Sequence, residues 1–373
     1  MVAEITPPVS QQSGRFAAAY GVLNDAIAAR AFPGCAFGVL AGGEVLLQDA
    51  LGSFTYDEGS PSVTSSTVYD LASLTKVVAT TAAAMLLNQR GLLDLDTMLG
   101  DLLPGFLLGR ASDDWARRVS LRHLLAHNSG LSGYVEFFRT ASTPEALTGA
   151  CLQLPIQAEP GTRAEYSDPG FLLLGMALEA IIAEPLSSWV QREVFRPLAM
   201  TSTGFSPPPE AHNLIPPTEE DTTFRRRRIQ GEVQDENAWL LGGVAGHAGL
   251  FASVPDLFRF ASEILRSSPK LASPEDRPSL FDPGTIQRFA ERQAPEGSSR
   301  ALGWDTPSSN SSSGCHYSLH SIGHLGYSGC SLWIDLDAEV AVVLLTNRTW
   351  PNRESQLIRR VRPAFHDAVH EAL

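Results

Sequence analysis

The spacing of apolar residues predicts helices at both ends of the chain and strands just inside them. Residues 14–31 carry apolar side chains at helical spacing, which predicts an N-terminal helix. Residues 34–52 form two β-rich runs around a Gly-Gly pair, a pattern typical of a hairpin. Residues 331–348 predict two more strands, and a last helix is expected from about 354 to 373.

The middle of the chain has a different pattern. Residues 77–90 are rich in Ala, Leu and Met without Gly or Pro, which predicts a helix closed by Gly91. The predicted fold class is therefore α+β: an antiparallel β-sheet flanked by terminal and other helices, plus a mainly helical lobe. We expect residues 1–373 to form one unit, with an α/β lobe from about 14–70 and 300–373 and a helical lobe at about 71–299.

Charge excludes some partners. The chain has 28 basic and 41 acidic residues, for a net charge of −13. An acidic chain cannot neutralise phosphates well, so nucleic acid is not an expected partner. Four arginines, Arg225–Arg228, could form an anion patch, but local ion pairs or a solvated loop are favoured in an acidic protein. No membrane span or signal peptide is visible, which predicts a cytoplasmic protein, or a periplasmic one if a leader was removed. The oligomeric state stays open.

Metal and disulfide chemistry is not expected. The four cysteines form no C-x-x-C pair and are read as buried or idle thiols; they are Cys35, Cys151, Cys315 and Cys330. Two histidine pairs have the helical i, i+4 spacing of zinc ligands but lack the glutamate of H-E-x-x-H; they are His123/His127 and His366/His370. Packing or surface roles are favoured for them over a histidine-based metal site, and no metal or cofactor is expected.

Candidate chemistry begins at Ser73-Leu-Thr-Lys76. Lys76 is one of only two lysines, and i, i+3 residues share one face of a helix. A serine hydroxyl needs a neighbouring base, and a lysine serves when its pKa is lowered. Ser73 would also lie at a helix N-terminus, which favours developing negative charge. A second match, Ser267–Lys270, contains a proline and is expected to be a loop.

Two later stretches carry further candidates. Tyr166-Ser-Asp168 precedes an apolar run, where a phenol could move protons; the alternative is an ordinary helix cap by Ser167 or Asp168. Glycines surround His324 to Tyr327, where a backbone N–H could bind an oxyanion and His324 could supply a positive charge or a hydrogen bond. The alternative there is a glycine-rich hairpin with a surface histidine.

In this order, the three motifs resemble the serine β-lactamase and penicillin-binding-protein superfamily. The branch they resemble is class C-like and includes esterases, D-amino-acid peptidases and amidases. The resemblance implies that Ser73 is acylated, that Lys76 and Tyr166 form its base and proton relay, and that the N–H groups of Ser73 and Tyr327 form the oxyanion hole. It also implies that Asp168, His324 and Gly326 help to bind substrate.

Three residues depart from the β-lactamase pattern. Asp168 replaces Asn, His324 replaces Lys, and Leu325 replaces a small hydroxyl residue. We expect these changes to weaken recognition of a substrate carboxylate. The sequence therefore predicts a serine hydrolase of small-molecule esters, amides or β-lactams, with esterase or peptidase/amidase activity favoured. The alternatives are a weak β-lactamase or D-alanyl carboxypeptidase, and a penicillin-binding sensor that traps the acyl group without turnover.

Overall fold

The computed structural model describes residues 14–112, 114–266 and 279–373 and confirms the α+β fold class. Its largest sheet has five antiparallel strands in the order β2-β1-β10-β9-β8. In chain order the strands are β1 (Gly34–Ala41), β2 (Glu44–Gly52), β3 (Tyr69–Asp70), β4 (Gly204–Phe205), β5 (Glu219–Asp221), β6 (Arg227–Ile229), β7 (Leu250–Ala252), β8 (Ser321–Leu325), β9 (Ser331–Asp335) and β10 (Val340–Thr346).

Helices make up most of the region between the two halves of this sheet. The α-helices are α1 (Ala17–Ala28), α2 (Ala82–Gln89), α3 (Leu99–Leu102), α4 (Leu121–Leu125), α5 (Pro144–Leu152), α6 (Asp168–Ile182), α7 (Leu186–Val190), α8 (Glu236–Leu240), α9 (Val254–Arg266), α10 (Pro283–Ala290) and α11 (Ile358–His370). The two hairpins predicted from residues 34–52 and 331–348 are confirmed. The terminal helices are confirmed with shorter bounds.

Strand β10 explains how the layers hold together. All seven of its residues are buried, because side chains alternate between two separate cores. Val342 and Leu344 face the core formed with α1 and α11. Val343 and Leu345 face the larger core shared with the helical region. The sheet is therefore covered on both faces, and its β8 edge lies beside the segment that carries Ser73.

The segment that follows Ser73 departs from the regular helix predicted at 77–90. A 3₁₀ turn spans Ala72–Leu74, a π-helical stretch spans Lys76–Thr81, and only then does α2 begin. The physical reason lies in two threonine hydroxyls that bind backbone carbonyls: Thr75 donates to Ala72 (2.6 Å) and Thr80 donates to Gly246 (2.6 Å). The widened turn is common at functional sites.

Two sequence features need a brief report. The second S-x-x-K match, Ser267–Lys270, lies outside the described residues. Among the residues the structure describes, no single helix is long and apolar enough to cross a bilayer. The pair Asp168–Ile182 and Leu186–Phe195 meets the test only jointly, across a bend of 72°.

Gly246 is the point where the Ser73 segment meets α6, and replacing it tests this packing. A Cβ there would lie 2.2 Å from the carbonyl oxygen of Phe171, and the Gly246 carbonyl holds Thr80. We expect Gly246→Ala to lower the free energy of unfolding by about 1–3 kcal/mol through overpacking. Denaturant unfolding measures this.

The matched control is Gly149→Ala. Gly149 lies exposed inside α5, with nothing within 4 Å of an added Cβ. We expect this change to stabilise the protein by about 0.5–1 kcal/mol. Equal stabilities for Gly246→Ala and the wild type would contradict the packing described for the Ser73 segment.

Candidate active site

Ser73 follows a short strand and a strained residue. Ala72 has φ of +46°, a conformation that non-glycine residues keep only when their surroundings impose it. The Asp70 carboxylate imposes it by accepting the N–H of Ala72 (2.8 Å) and that of Gln234 (2.7 Å). Burial raises the pKa of Asp70 to about 6, although these two N–H groups oppose the rise. The strained turn presents Ser73 to a cavity.

Lys76 is a fully buried cation with three acceptors. Its Nζ lies 3.0 Å from Ser73 Oγ, 2.6 Å from Asp168 Oδ1 and 3.1 Å from the carbonyl oxygen of His247. An ammonium has three donors, so the site satisfies all of them. Burial lowers the pKa of Lys76, but the Asp168 carboxylate and Tyr166 outweigh burial, and the net pKa is raised. The resting site therefore holds an ammonium.

Tyr166 joins the same cluster. The Lys76 Nζ lies 4.8 Å from the centre of the Tyr166 ring, and burial raises the pKa of the phenol, although the neighbouring Lys76 and Ser73 act in the opposite direction. The His127 ring supports it from below, with ring centroids 4.6 Å apart. Both the helix cap and the site role predicted for this stretch occur. Ser167 caps α6 by accepting the N–H of Gly170, while Tyr166 and Asp168 on either side of it face Lys76.

The end of β8 forms the opposite wall. A Cβ at Gly326 would lie 2.3 Å from the carbonyl oxygen of Leu71, so glycine permits this close approach to the Ser73 segment. The N–H of Tyr327 has no acceptor among the described residues, and Tyr327 lines the cavity. The Tyr327 N–H is thus available to a ligand.

His324 can supply a hydrogen bond to the cavity, but it does not carry the positive charge that the sequence also suggested. The side chain is 3% exposed, so it is not a surface histidine. Burial and the nearby cations Lys76 and Arg300 hold its pKa well below the usual range. Its Nδ1 donates to the carbonyl of Leu325 (2.8 Å), which leaves Nε2 as an unprotonated, unpaired acceptor. His324 is neutral, so the suggested positive charge is wrong and the hydrogen bond remains.

The cavity beside Ser73 has a volume of about 800 Å³. The residues from the three sequence motifs that line it are Ser73, Tyr166, Asp168, His324, Leu325, Gly326 and Tyr327. Its other lining residues include charged groups that sequence reasoning missed, among them Asp235, Arg300, Arg348, Arg359 and Arg362. These residues are scattered along the chain without a local pattern, so no sequence signal marked them.

His247 and Asp235 support Lys76 from behind. His247 Nε2 lies 3.0 Å from Asp235 Oδ1, and the His247 carbonyl accepts from Lys76. Sequence reasoning placed His127 and His247 near the cleft only by resemblance and gave them no chemistry. In the structure both are buried and position the residues around Ser73.

Three of the four arginines in Arg225–Arg228 form the expected local ion pairs, with Asp221, Glu232 and Glu220. All four cysteines are free, three of them buried.

Of the two histidine pairs with helical spacing, only His366/His370 lies on a helix, because His127 follows the end of α4 with a φ of +54°. His123 bonds Ser120, and both nitrogens of His366 are engaged, by Tyr317 and Ser331. At the surface, the side-chain donor atoms of Cys315, His316 and Asp367 lie within 4.8 Å of one another, but Asp367 already binds the Cys315 N–H.

Comparisons with known proteins decide the family. The beta-lactamase family model matches residues 21–364. The chain belongs to the beta-lactamase family. A Salmonella paratyphi B member is 29% identical over 347 residues, covering 83% of this chain and 77% of that protein; its name, itself provisional, is D-alanyl-D-alanine carboxypeptidase.

Solved beta-lactamase-like structures share the fold. EstCE1, described as a hydrolase with promiscuous acyltransferase activity, matches with a TM-score of 0.77 at 23% identity, covering 97% of this chain and 100% of its own. The simvastatin synthase LovD from Aspergillus terreus matches at 0.72 and 18% identity, covering 95% and 98%. The octameric penicillin-binding protein homologue from Pyrococcus abyssi matches at 0.68 and 19%, covering 91% and 78%.

Asp168→Asn tests the charge balance of this beta-lactamase-family site. The Asp168 carboxylate holds the pKa of Lys76 up, and a lysine base is inactive below its pKa. Removing the negative charge lowers that pKa, so we expect the acid limb of kcat/KM to move to lower pH. A pH–rate profile with an ester substrate measures the shift.

The control is Glu184→Gln, which removes a partly exposed carboxylate paired with Arg192. It should leave the pH profile in place. An acid limb that stays fixed in Asp168→Asn, or moves to higher pH, would contradict the role given to Asp168.

Proposed function

We propose that the protein is a serine hydrolase that forms a covalent acyl-enzyme on Ser73, acting as a carboxylesterase or a peptidase/amidase. The observation that carries the proposal is the contact of Ser73 Oγ with the buried Lys76 Nζ at 3.0 Å, at the wall of a cavity of about 800 Å³ that Tyr166 also lines. A nucleophile and its base within hydrogen-bond reach define this kind of catalysis.

The first half-reaction follows from these positions. Ser73 Oγ attacks the substrate carbonyl carbon while its proton passes to Lys76 in the neutral form, directly or through Tyr166. The carbonyl oxygen takes up negative charge and accepts the N–H groups of Ser73 and Tyr327. As the tetrahedral intermediate collapses, the bond to the leaving group breaks and the proton returns from Lys76 or Tyr166 to that group.

The second half-reaction restores the serine. Water attacks the acyl carbonyl and gives its proton to the same base. The acyl–Ser73 bond then breaks, and the proton returns to Ser73 Oγ. Because the pKa of Lys76 is raised, the neutral lysine is a minor species at neutral pH, and turnover should increase with pH up to that pKa.

Residues at the end of β8 favour an ester or amide over a β-lactam. His324 is neutral where β-lactamases carry a lysine, and Leu325 supplies no hydroxyl. A β-lactam carboxylate would therefore lack both partners on this strand. The exposed Tyr134 and Tyr327 line the cavity and offer apolar surface to an acyl or aryl group.

A D-amino-acid carboxypeptidase is a second candidate, because cations reach the cavity from other elements. The Arg300 guanidinium lies 5.3 Å from the centre of the Tyr166 ring, and the exposed Arg359 lines the same cavity. Either could bind a terminal carboxylate without the missing lysine. The name of the Salmonella relative supports this candidate.

Hydrolysis of p-nitrophenyl butyrate by the wild type and by Ser73→Ala tests the proposal. We expect the wild type to turn over and the variant to lose activity by roughly a thousandfold or more, since the nucleophile is gone. A diacylated D-alanyl-D-alanine peptide and a chromogenic cephalosporin are assayed beside the ester. Faster peptide turnover would favour the carboxypeptidase.

Melting temperatures of the two proteins serve as the folding control. Equal ester turnover by wild type and Ser73→Ala would rule out Ser73 as the nucleophile. A single burst of p-nitrophenol without steady turnover would favour the acyl-trapping sensor over the hydrolase.

A further inference from the structure

The peptide bond between Gly326 and Tyr327 has an unusual partner. Its N–H belongs to Tyr327, the proposed oxyanion donor, and its carbonyl oxygen accepts from Arg362 Nη2 at 2.6 Å. We propose that Arg362 is a positioning residue that strengthens the oxyanion hole through this peptide. The inference rests on the proposed function and goes beyond it, because Arg362 acts through a backbone group and needs no contact with the substrate.

Arg362 is held by one short loop. Its side chain is 6% exposed on α11, and its guanidinium also donates to the carbonyl oxygens of Cys330 (2.9 Å) and Gly329 (3.1 Å). Every acceptor thus comes from residues 326–330. The loop is fixed in turn by the N–H of Gly326, which donates to the Cys330 carbonyl (2.7 Å).

The charge of Arg362 has no carboxylate partner within ion-pair distance among the described residues. Burial lowers its pKa to about 10, so the guanidinium stays protonated at neutral pH. A buried cation without a counter-ion is costly, and neutral carbonyls compensate only part of that cost. Stability alone therefore gives a poor account of an arginine at this position.

The geometry of the peptide supplies a reason. In a trans peptide the carbonyl and the N–H point in opposite directions. Arg362 therefore binds the carbonyl oxygen on the side of the peptide opposite to the Tyr327 N–H. A charge-assisted hydrogen bond to the carbonyl polarises the amide and makes its N–H a stronger donor. The positive charge also favours an oxyanion forming across the same peptide.

Arg348, which follows β10, gives a matched comparison because it binds the same loop and, like Arg362, lines the cavity. It is 5% exposed, and its Nε donates to the carbonyl oxygen of Tyr327 at 2.7 Å. That carbonyl belongs to the next peptide, whose N–H is on Ser328. The two arginines are thus equally buried and bind neighbouring peptides, but only Arg362 binds the one that carries the proposed oxyanion donor.

The experiment compares Arg362→Met, Arg362→Lys and Arg348→Met with the wild type. Three quantities are measured: kcat and KM for p-nitrophenyl butyrate, the inhibition constant of an arylboronic acid, and the melting temperature. The boronic acid bonds to Ser73 as a tetrahedral anion and so reports the oxyanion hole separately from substrate binding.

We expect Arg362→Met to lower kcat by roughly 10- to 100-fold with little change in KM, as for weakening one oxyanion donor. The affinity for the boronic acid should fall by a similar factor. Arg362→Lys keeps the cation and should recover part of both losses. Arg348→Met should lower the melting temperature about as much as Arg362→Met does. Its fall in kcat should be smaller than that of Arg362→Met by a factor of roughly ten or more.

Equal losses of kcat in Arg362→Met and Arg348→Met would overturn the proposal, since loosening the loop would then explain both. A boronic acid affinity that is unchanged in Arg362→Met would overturn it as well. If Arg362→Met does not fold, Arg362→Lys provides the test. A lower kcat at unchanged KM, with unchanged affinity for the boronic acid, would contradict the proposal. Failure of the hydrolase assignment gives a different result, equal turnover by the wild type and Ser73→Ala.

Discussion

The buried ammonium of Lys76 is the constraint on which the rest of the site depends. A lysine that is 0% exposed needs an acceptor for each of its three donors, or its burial would be prohibitively costly. Ser73, Asp168 and the carbonyl of His247 provide them, from three separate segments of the chain. Once these segments converge on Lys76, Ser73 lies beside a potential base. The hydrogen bonds of Lys76 therefore both hold the helical region together and place a potential base beside Ser73.

The five-stranded sheet places the loop that carries the Tyr327 N–H beside Ser73. Gly326 at the end of β8 approaches the Leu71 carbonyl so closely that no side chain fits, and Ser328 Oγ donates to the Asp70 carbonyl at 2.8 Å. These contacts fix the Tyr327 N–H relative to Ser73. Arg362, from the last helix, then binds the same loop from the other side. The Ser73 segment and the last helix thus meet at one short backbone segment after β8.

Local patterns predicted much of this fold. The hairpins around residues 34–52 and 331–348 were visible because in each case two β-rich runs flank a short turn of glycine or polar residues. The family was visible because its three motifs occur in order along the chain. The π-helical turn after Ser73 was not predictable, since it depends on Thr80 reaching Gly246, 166 residues away.

The charge states of the site residues were harder to predict from the sequence than the fold. Lys76 and Asp168 are 92 residues apart, so their ion pair has no sequence signature, and the raised pKa of Lys76 depends on that contact and on Tyr166. The neutral state of His324 required knowledge of its burial and its bond to the Leu325 carbonyl. Arg300 and Arg362 lie outside the motifs that mark the family. Long-range electrostatics was therefore the main property that residue patterns left open.

Intact-protein mass spectrometry after brief exposure to a fluorophosphonate ester tests the central claim most directly. The account predicts one adduct, located on Ser73 by peptide mapping, that is absent from Ser73→Ala. It predicts much slower labelling of Lys76→Arg, which keeps a positive charge but cannot act as a base. Labelling of Ser73→Ala at the wild-type rate, or equally fast labelling of Lys76→Arg, would contradict the account.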